Sequence, residues 1–291
     1  MFVGAMTALV TPMRDGQIDE GALEALVEWQ IAEGIDALVP CGTTGESATL
    51  THAEHKQVIR AVVRAAKKRV PVIAGAGSNA TAEAIALSKD AREAGADGLL
   101  QITPYYNRPT QEGLYLHFAA IAQAVPLPIV LYNVPARTGC DLLPDTIARL
   151  CELPTVVAVK EAHGTVQRTQ QILARVGDRL VILSGEDAIN HPLYAVGARG
   201  CISVVSNVAP RLVADGWDAH DLGDAARARK LHYEALPLAE ALFSEASPIP
   251  SKAALAMMGR IAPDIRLPLH PMSEAPKQKL RALLSQMGLA K

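Results

Sequence analysis

The sequence predicts an α/β protein that folds as a (β/α)8 TIM barrel with a C-terminal helical extension. The chain has 291 residues, of which 49% are hydrophobic. That length allows a sizeable core, and a barrel of eight strand–helix units typically needs about 250 residues. Eight short apolar runs alternate with longer segments of helical periodicity, which is typical of a parallel sheet, closed or open. No G-x-G-x-x-G pattern follows the first run, which weakens the alternative of an open, doubly wound sheet.

The eight apolar runs are predicted to be strands that are buried on both faces. They are rich in Val, Ile and Leu and do not alternate with polar residues, as expected of strands covered by helices. The runs cover residues 5–10, 37–39, 70–74, 98–102, 129–133, 156–160, 180–184 and 201–205.

Helices are predicted between these strands, notably over residues 19–33, 51–66, 81–94 and 110–124. Thr51 and Glu54 have the spacing of a capping box, in which each side chain satisfies a free backbone N–H group at the start of a helix. Gly34, Gly95 and Gly197 follow helical segments, where glycine accepts the left-handed conformation that ends a helix. These signals agree with the strand boundaries.

The strand pattern stops after Val205. Residues from Pro210 onward are predicted to be helical, including 221–243 and 248–258, and the prolines at 263, 268, 271 and 276 break the helical run. We therefore expect a barrel over residues 1–220 and a helical region over residues 221–291.

Composition excludes several classes of function. A formal net charge of -2 and a pI of about 6.5 offer no electrostatic case for binding nucleic acid or an anionic membrane. The apolar runs are strand-sized, and the N-terminus shows no secretory signal, so we expect a cytoplasmic protein. The four cysteines form no C-x-x-C pair, so neither a zinc site nor a redox motif is indicated, and reduced thiols are expected.

Lys160 is the first candidate catalytic residue, because catalytic groups of a barrel gather at the C-terminal ends of its strands. It ends an apolar strand, where partial desolvation lowers the pKa of an ammonium and favours the neutral amine. A neutral amine can attack a ketone, and the resulting imine acts as an electron sink. The alternative is a lysine that leaves the barrel to pair with a carboxylate such as Glu161.

Further polar residues follow neighbouring strands. Tyr132 ends the strand before Lys160, where a phenol can transfer protons or simply bond a backbone carbonyl. After the second strand, the loop 41–47 has the sequence Cys-Gly-Thr-Thr-Gly-Glu-Ser. Its glycines allow sharp turns that leave amides and hydroxyls free to hold a carboxylate, although an ordinary loop that leads into a helix remains an alternative.

Two loops add an aromatic pair and an arginine. Tyr105 and Tyr106 follow the fourth strand and are candidates for a substrate wall or for a subunit contact. Arg137 lies shortly after Tyr132, and its guanidinium can hold a carboxylate through two parallel hydrogen bonds. A surface salt bridge is the alternative for Arg137.

Taken together, these motifs resemble those of one family. Gly-Thr-Thr-Gly-Glu-Ser, Tyr-Tyr-Asn-Arg-Pro, Tyr-Asn-Val-Pro-x-Arg-Thr-Gly and a Val-x-x-Val-Lys-Glu strand occur here in this order. The chain resembles the dihydrodipicolinate synthase (4-hydroxy-tetrahydrodipicolinate synthase) family, within the superfamily of pyruvate-dependent N-acetylneuraminate lyases. The resemblance extends from residues 4–12 through 183–187 to 248–252.

The resemblance implies a lyase that joins pyruvate to L-aspartate 4-semialdehyde in the biosynthesis of diaminopimelate and lysine. Lys160 would form the imine with pyruvate, so that no metal and no organic cofactor are needed. The resemblance further implies a proton relay of Tyr132, Thr43 and Tyr106, in which Tyr106 comes from a neighbouring subunit. The loop of Thr43 and Thr44 would bind the pyruvate carboxylate, and Arg137 would bind the semialdehyde carboxylate. The backbone groups of Gly185 and Ile202 would line the pyruvate pocket.

The resemblance also implies a homotetramer and possible inhibition by free L-lysine at a site between subunits. The positions that match this inhibitory site are Ser47, Ala48, His52, His55, Asn79, Glu83 and Tyr105. For His52 and His55, three residues apart on one predicted helix, a metal pair and simple exposure to solvent are the alternatives.

Two rival functions remain open at this point. Another pyruvate-dependent aldolase, such as an N-acetylneuraminate lyase or a 2-keto-3-deoxy sugar-acid aldolase, would share the lysine, the tyrosine and the threonine loop. Arg137 favours a short aldehyde with a carboxylate over a polyhydroxylated sugar. A catalytically silent barrel used as a binding protein would have no need for all of these groups together.

Overall fold

The structure, a computed structural model, describes residues 2–290. Within them, eight parallel strands form one sheet, and a separate antiparallel hairpin is made by β2 (Met13–Arg14) and β3 (Gln17–Ile18). The strands of the large sheet are β1 (Gly4–Ala8), β4 (Ala37–Val39), β5 (Ile73–Gly75), β6 (Gly98–Ile102), β7 (Ile129–Asn133), β8 (Val156–Glu161), β9 (Val181–Ser184) and β10 (Gly200–Ser203).

The large sheet closes into a barrel. Its strand order is β4-β1-β10-β9-β8-β7-β6-β5, and neighbouring strands are parallel. A parallel bridge between Leu38 of β4 and Val72, next to β5, joins the two ends of this order. The prediction of a TIM barrel is confirmed, and the open, doubly wound alternative is wrong.

Helices surround the barrel and continue beyond it. They are α1 (Glu20–Ala32), α2 (His52–Ala66), α3 (Thr81–Glu93), α4 (Gln111–Ala124), α5 (Pro135–Thr138), α6 (Pro144–Leu150), α7 (Val166–Val176), α8 (Asn190–Ala195), α9 (Pro210–Asp221), α10 (Ala225–Leu242), α11 (Ile249–Met257) and α12 (Glu274–Gln286). The four barrel helices predicted from the sequence are confirmed to within a residue at each end. The capping box of Thr51 and Glu54 is present at the start of α2.

Two strands end earlier than predicted, because β1, expected over residues 5–10, stops at Ala8, and β10 also stops short. The run 201–205 was expected to be extended throughout, but β10 stops at Ser203. The carboxylate of Asp187 accepts hydrogen bonds from the N–H groups of Val204 and Val205, at 2.7 and 3.0 Å. These bonds take the place of a strand ladder, and the chain turns into a 3-10 helix from Val205.

The C-terminal helices also differ in their boundaries. The predicted helix 221–243 begins four residues later than expected, as α10 at Ala225, because α9 ends at Asp221 and Gly223, at φ +79°, turns the chain between the two helices. Pro276 was predicted to break the helical run, but it lies in the first turn of α12. A proline is tolerated there because the first N–H groups of a helix have no partner within it.

The core has two layers. Alternate side chains of the strands fill the barrel interior, including Met6, Val130, Ala158 and Ile202. The other faces pack against the helices in a larger cluster, to which the C-terminal region contributes Leu238, Leu242, Leu280 and Leu284. A domain boundary at residue 220 stays a prediction. None of the helices between residues 2 and 290 combines the length and apolarity needed to span a membrane.

Candidate active site

Lys160 and Tyr132 face each other inside the barrel. They occupy paired positions on the adjacent strands β8 and β7, and both side chains follow the interior residues Ala158 and Val130 by two positions. The Lys160 Nζ atom lies 4.3 Å from the centroid of the Tyr132 ring. With 5% and 6% of their surface exposed, both residues are buried at the C-terminal ends of their strands. An amine and a phenol therefore lie side by side in the barrel interior, an arrangement suited to imine chemistry with proton transfer.

The alternative in which Lys160 pairs with Glu161 is wrong. Consecutive residues of a strand point to opposite faces, so Glu161 lies outside the barrel when Lys160 lies inside. The Glu161 carboxylate instead accepts hydrogen bonds from the Asn133 side chain at 3.1 Å and from the His163 N–H group at 2.8 Å. Lys160 forms no ion pair with any carboxylate of residues 2–290.

Gly185 borders the lysine, and Ile202 lies in the barrel interior. A Cβ atom on Gly185 would lie 3.0 Å from Lys160 Cε and 2.8 Å from Ala162 Cβ, so a side chain there would displace the lysine. Ile202 is buried in the interior cluster. Glu186, which sequence reasoning did not single out, adds a half-buried carboxyl; burial and Asp187 raise its pKa, and Lys160 opposes that shift.

The loop 42–47 offers free backbone donors. Among the described residues, the N–H groups of Thr43 and Thr44 donate to no acceptor, while the N–H groups of Gly45 and Glu46 are bound to Gly42 and Thr43. Thr43 shares the lining of a small cavity with Tyr132. Adjacent free amides bind anions, so this loop can hold a carboxylate next to the Lys160 pocket.

Arg137 lies at the rim of the same end of the barrel. It belongs to the short helix α5, which ends at Gly139 in the left-handed conformation. Its side chain is exposed and lines a cavity together with Thr43. The surface salt bridge considered as an alternative is absent from the described residues, so the guanidinium is free to hold a carboxylate.

Tyr106 stands apart from the other candidates. Its side chain is 90% exposed and lines neither of these cavities. Its backbone adopts φ +74°, unusual for a residue with a side chain, and its N–H group donates to Thr138 O at 3.2 Å. Within one chain the structure does not bring Tyr106 to Lys160. An exposed tyrosine held in this way is available to a second subunit.

A buried polar cluster lies directly behind the lysine. The Asn133 amide donates to both Glu161 and Asp141, and its carbonyl oxygen accepts from Leu142 N–H. Arg168 donates to Asp141 at 2.5 Å. The cluster thereby connects the ends of β7 and β8 with the segment that follows Arg137. Sequence reasoning missed it, although the strict alternation of a strand places the residues after Tyr132 and Lys160 on its outer face.

Glu161 titrates abnormally in this cluster. Burial raises its pKa to about 7, against a smaller lowering by the hydrogen bonds from Asn133 and His163. Between the ordinary value of 4.5 and about 7, the folded protein therefore holds a proton that the unfolded chain has released. Folding stability contributed by Glu161 is present at low pH and is lost as the pH rises through this window.

Replacing Glu161 with Gln is expected to remove this dependence. From pH 5 to pH 8 the free energy of unfolding of the unmodified protein should fall relative to that of Glu161→Gln by about 2.5 kcal/mol, the part of the pKa shift that falls within this pH range. Urea unfolding of both proteins at equal concentration measures the difference. Glu152→Gln, at an exposed ion pair with Arg179, serves as the control. If the two proteins differed in free energy of unfolding by the same amount at pH 5 and at pH 8, the assigned titration of Glu161 would be contradicted.

The residues that match the inhibitory site surround one cavity. Its volume is about 390 Å³, and six of the seven expected positions line it, namely Ser47, Ala48, His52, His55, Glu83 and Tyr105. The seventh, Asn79, donates to Tyr105 O at 3.2 Å. The structure therefore brings this set together next to Thr43 and Arg137, which line the same cavity.

The two histidines of this cavity differ in environment. His52 is exposed and lies 2.9 Å from Glu83, whose pKa is lowered by the Ser78 hydroxyl and then by His52. His55 is buried, which corrects the alternative that both face solvent, and burial lowers the pKa of its imidazole. Among the described residues, no group of three or more His, Cys, Asp or Glu is arranged to hold a metal ion, so the metal-pair alternative has no support here.

A closed barrel with a buried amine facing a phenol, beside free backbone amides, defines a class: (β/α)8 enzymes that form a Schiff base through a lysine and need no external cofactor. The sequence places the chain more narrowly. It belongs to the dihydrodipicolinate synthetase family, whose sequence model matches residues 1–287.

Named relatives support this assignment over the whole chain. A protein of Geobacter sulfurreducens named 4-hydroxy-tetrahydrodipicolinate synthase is 53% identical over 289 residues, which cover 99% of this chain and all of that protein. The structure of the chloride-inhibited dihydrodipicolinate synthase of Acinetobacter baumannii, complexed with pyruvate, superposes with a TM-score of 0.98 at 46% identity, covering 99% of this chain and 100% of that one. The Cyanidioschyzon merolae enzyme with lysine bound gives 0.96 at 41% identity, covering 99% of each chain.

Proposed function

We propose that this protein condenses pyruvate with L-aspartate 4-semialdehyde to form 4-hydroxy-tetrahydrodipicolinate, in the biosynthesis of diaminopimelate and lysine. The observation that carries the proposal is the Lys160 amine facing the Tyr132 ring inside the barrel, 4.3 Å away. A buried amine at this point can react with the carbonyl of a small keto acid. The full-length similarity to named synthases supports the choice of substrates.

In the proposed mechanism, Lys160 attacks the carbonyl carbon of pyruvate, water leaves, and an imine forms. Loss of a methyl proton gives an enamine, whose carbon attacks the aldehyde of the second substrate. The amino group of that substrate then replaces Lys160 on the former carbonyl carbon, which closes the ring and frees the enzyme. Tyr132, Thr43 and Tyr106 move the protons of these steps.

Binding of the two carboxylates is assigned to separate groups. The free N–H groups of Thr43 and Thr44 hold the pyruvate carboxylate, and the backbone of Gly185 and Ile202 completes that pocket. Arg137 holds the carboxylate of the semialdehyde at the rim, where its guanidinium has no competing partner among the described residues. This division favours a short, carboxylated aldehyde over a sugar.

The direct test is turnover of pyruvate with L-aspartate 4-semialdehyde, coupled to the reductase that follows in the lysine pathway. A rate is expected, and pyruvate should become trapped on the protein when borohydride reduces the imine. If pyruvate is trapped but the semialdehyde is not turned over, a sugar-acid aldolase becomes the better assignment. If neither occurs, the catalytically silent barrel becomes the better description.

The assembly and its location belong to the same proposal. Tyr106 is exposed in the single chain, which supports a homotetramer in which neighbouring subunits exchange this residue. A cytoplasmic location agrees with a biosynthetic role for the enzyme. Neither nucleic acid nor a membrane is part of the proposed set of partners.

We propose in addition that free L-lysine inhibits the enzyme at the cavity of His52, His55 and Glu83. The Glu83 carboxylate, whose lowered pKa keeps it charged, suits an ammonium group. The cavity also contains Thr43 and Arg137, so a ligand there can alter the active site directly. Binding of lysine by the Cyanidioschyzon merolae enzyme is consistent with this assignment.

Millimolar free L-lysine is therefore expected to lower turnover, and His55→Ala should weaken that inhibition while leaving uninhibited turnover near its normal value. The reason is that His55 lines the cavity but does not contact Lys160 or Tyr132. Inhibition curves of both proteins provide the measurement, with the exposed His270→Ala as control. Full activity of the unmodified protein at saturating lysine would remove the regulatory proposal.

A further inference from the structure

A buried ion pair links the helical C-terminal region to the loop 42–47 of the active site. Lys252, on α11, donates from Nζ to Glu46 Oε1 at 2.5 Å, and the two side chains are only 2% and 1% exposed. The second carboxylate oxygen, Glu46 Oε2, accepts the N–H group of Arg266 at 3.2 Å. Both oxygens of Glu46 are thus held by residues more than two hundred positions away.

Glu46 belongs to the same short loop as Thr43 and Thr44. Its N–H group donates to Thr43 O at 3.1 Å, and its backbone has left-handed angles of φ 57° and ψ 33°. A residue with a side chain adopts such angles only where its surroundings impose them. The contacts of the Glu46 carboxylate with Lys252 and Arg266 supply that constraint.

The opposite side of the loop is also closely packed. Thr11 donates from Oγ1 to Gly45 O at 2.7 Å. A Cβ atom on Gly45 would lie 2.9 Å from Cys41 N and 3.1 Å from Leu9 O. The loop therefore cannot retreat toward the barrel. Its remaining freedom is movement away from the barrel, and the Glu46–Lys252 pair restrains movement in that direction.

We propose that Glu46 and Lys252 are positioning residues for the pyruvate carboxylate, acting through the N–H groups of Thr43 and Thr44. Neither touches substrate. The inference rests on the proposed function, because it assumes that these amides hold pyruvate. A simple anchor for the C-terminal helices does not need charge, since well-packed apolar residues of similar volume often replace a buried ion pair without loss of stability. Hydrogen bonds to both carboxylate oxygens, from Lys252 and from the Arg266 N–H group, fix the orientation of the Glu46 side chain, whereas an apolar contact would not.

The test is the concentration of pyruvate that half-saturates imine formation, measured by borohydride trapping and intact mass. In Lys252→Met this concentration is expected to rise by about 10- to 100-fold, the scale of a displacement of the loop by an ångström or less. The KM for the semialdehyde should change much less, because Arg137 lies on a different loop. The control is Arg211→Met, which breaks an exposed ion pair between Arg211 of α9 and Glu33, the residue that caps the C-terminal end of α1.

The double variant Glu46→Gln/Lys252→Met separates positioning from stability. It leaves no unpaired buried charge, so its melting temperature should recover relative to Lys252→Met. Half-saturation by pyruvate should nevertheless stay raised, because the loop has lost its charged anchor. If Lys252→Met fails to fold, Glu46→Gln and the double variant provide the same comparison.

Two results would overturn the inference in distinguishable ways. Half-saturation within about two-fold of normal in Glu46→Gln and in the double variant would show that the pair is only structural. Failure of the unmodified protein to trap any pyruvate would contradict the proposed function itself, and the inference with it.

Discussion

Lys160→Ala is expected to lower turnover by at least about 10⁴-fold, as removal of a covalent nucleophile does in other enzymes. The variant should also fail to trap pyruvate when borohydride is added. The physical reason is that the imine both activates the pyruvate methyl group and holds the substrate, and no second amine is in place to form it. Coupled turnover and intact mass measure the two effects.

The second buried lysine makes this prediction specific. Among the described residues, Lys160 and Lys252 are the lysines classed as buried, at 5% and 2% exposed. The Nζ atom of Lys252 is bound to Glu46 outside the barrel interior, whereas that of Lys160 faces the Tyr132 ring. Lys160→Arg is the matched variant, because it keeps a positive charge but has no neutral amine at ordinary pH. Trapped pyruvate in either variant would assign the imine to another residue.

If Tyr106 acts in the active site of a neighbouring subunit, mixed oligomers of the inactive variants Lys160→Ala and Tyr106→Phe are expected to be active. Tyr106→Phe alone should lose about 10²- to 10⁴-fold in turnover, the usual contribution of a proton-transfer group. In a mixed dimer of Lys160→Ala and Tyr106→Phe chains, one of the two sites receives an intact lysine and an intact tyrosine. Random pairing should therefore recover about a quarter of normal activity in the mixture, and isolated mixed dimers should show about half.

The control for this experiment uses two residues of the same pocket. Lys160 and Tyr132 face each other within one chain, so mixing Lys160→Ala with Tyr132→Phe cannot build a complete site. Co-expression with two different tags allows the mixed oligomers to be isolated before the assay. Activity of the Tyr106 mixture no greater than that of the Tyr132 mixture would contradict the exchange of Tyr106.

The residues of the pocket could be predicted from local pattern. Each run of apolar residues that ends in a polar one marks a strand whose last side chain reaches the catalytic end of the barrel. This rule found Lys160 and Tyr132, and the motifs around them found Thr43, Thr44 and Arg137. Their assembly at one end of the barrel agrees with the prediction, while their roles remain proposals.

Local pattern was insufficient where burial depends on distant parts of the chain. His55 lies on a helix whose sequence is compatible with solvent exposure, but the described structure covers it. Glu161 looked like a partner for Lys160 because the two are neighbours in sequence. The alternation of the strand separates them, and Asn133 from the adjacent strand becomes the partner instead.

The sequence by itself determined the eight strands, the helices between them and the residues at the strand ends, because these follow from apolar periodicity and from chain direction over a few residues. Only the tertiary structure decided that the sheet closes between β4 and β5, that Glu46 pairs with Lys252, and that Asn133, Asp141 and Arg168 surround Glu161. Such contacts join groups that are distant along the chain. Their energies depend on burial and on the exact position of a partner, which no local pattern of residues specifies.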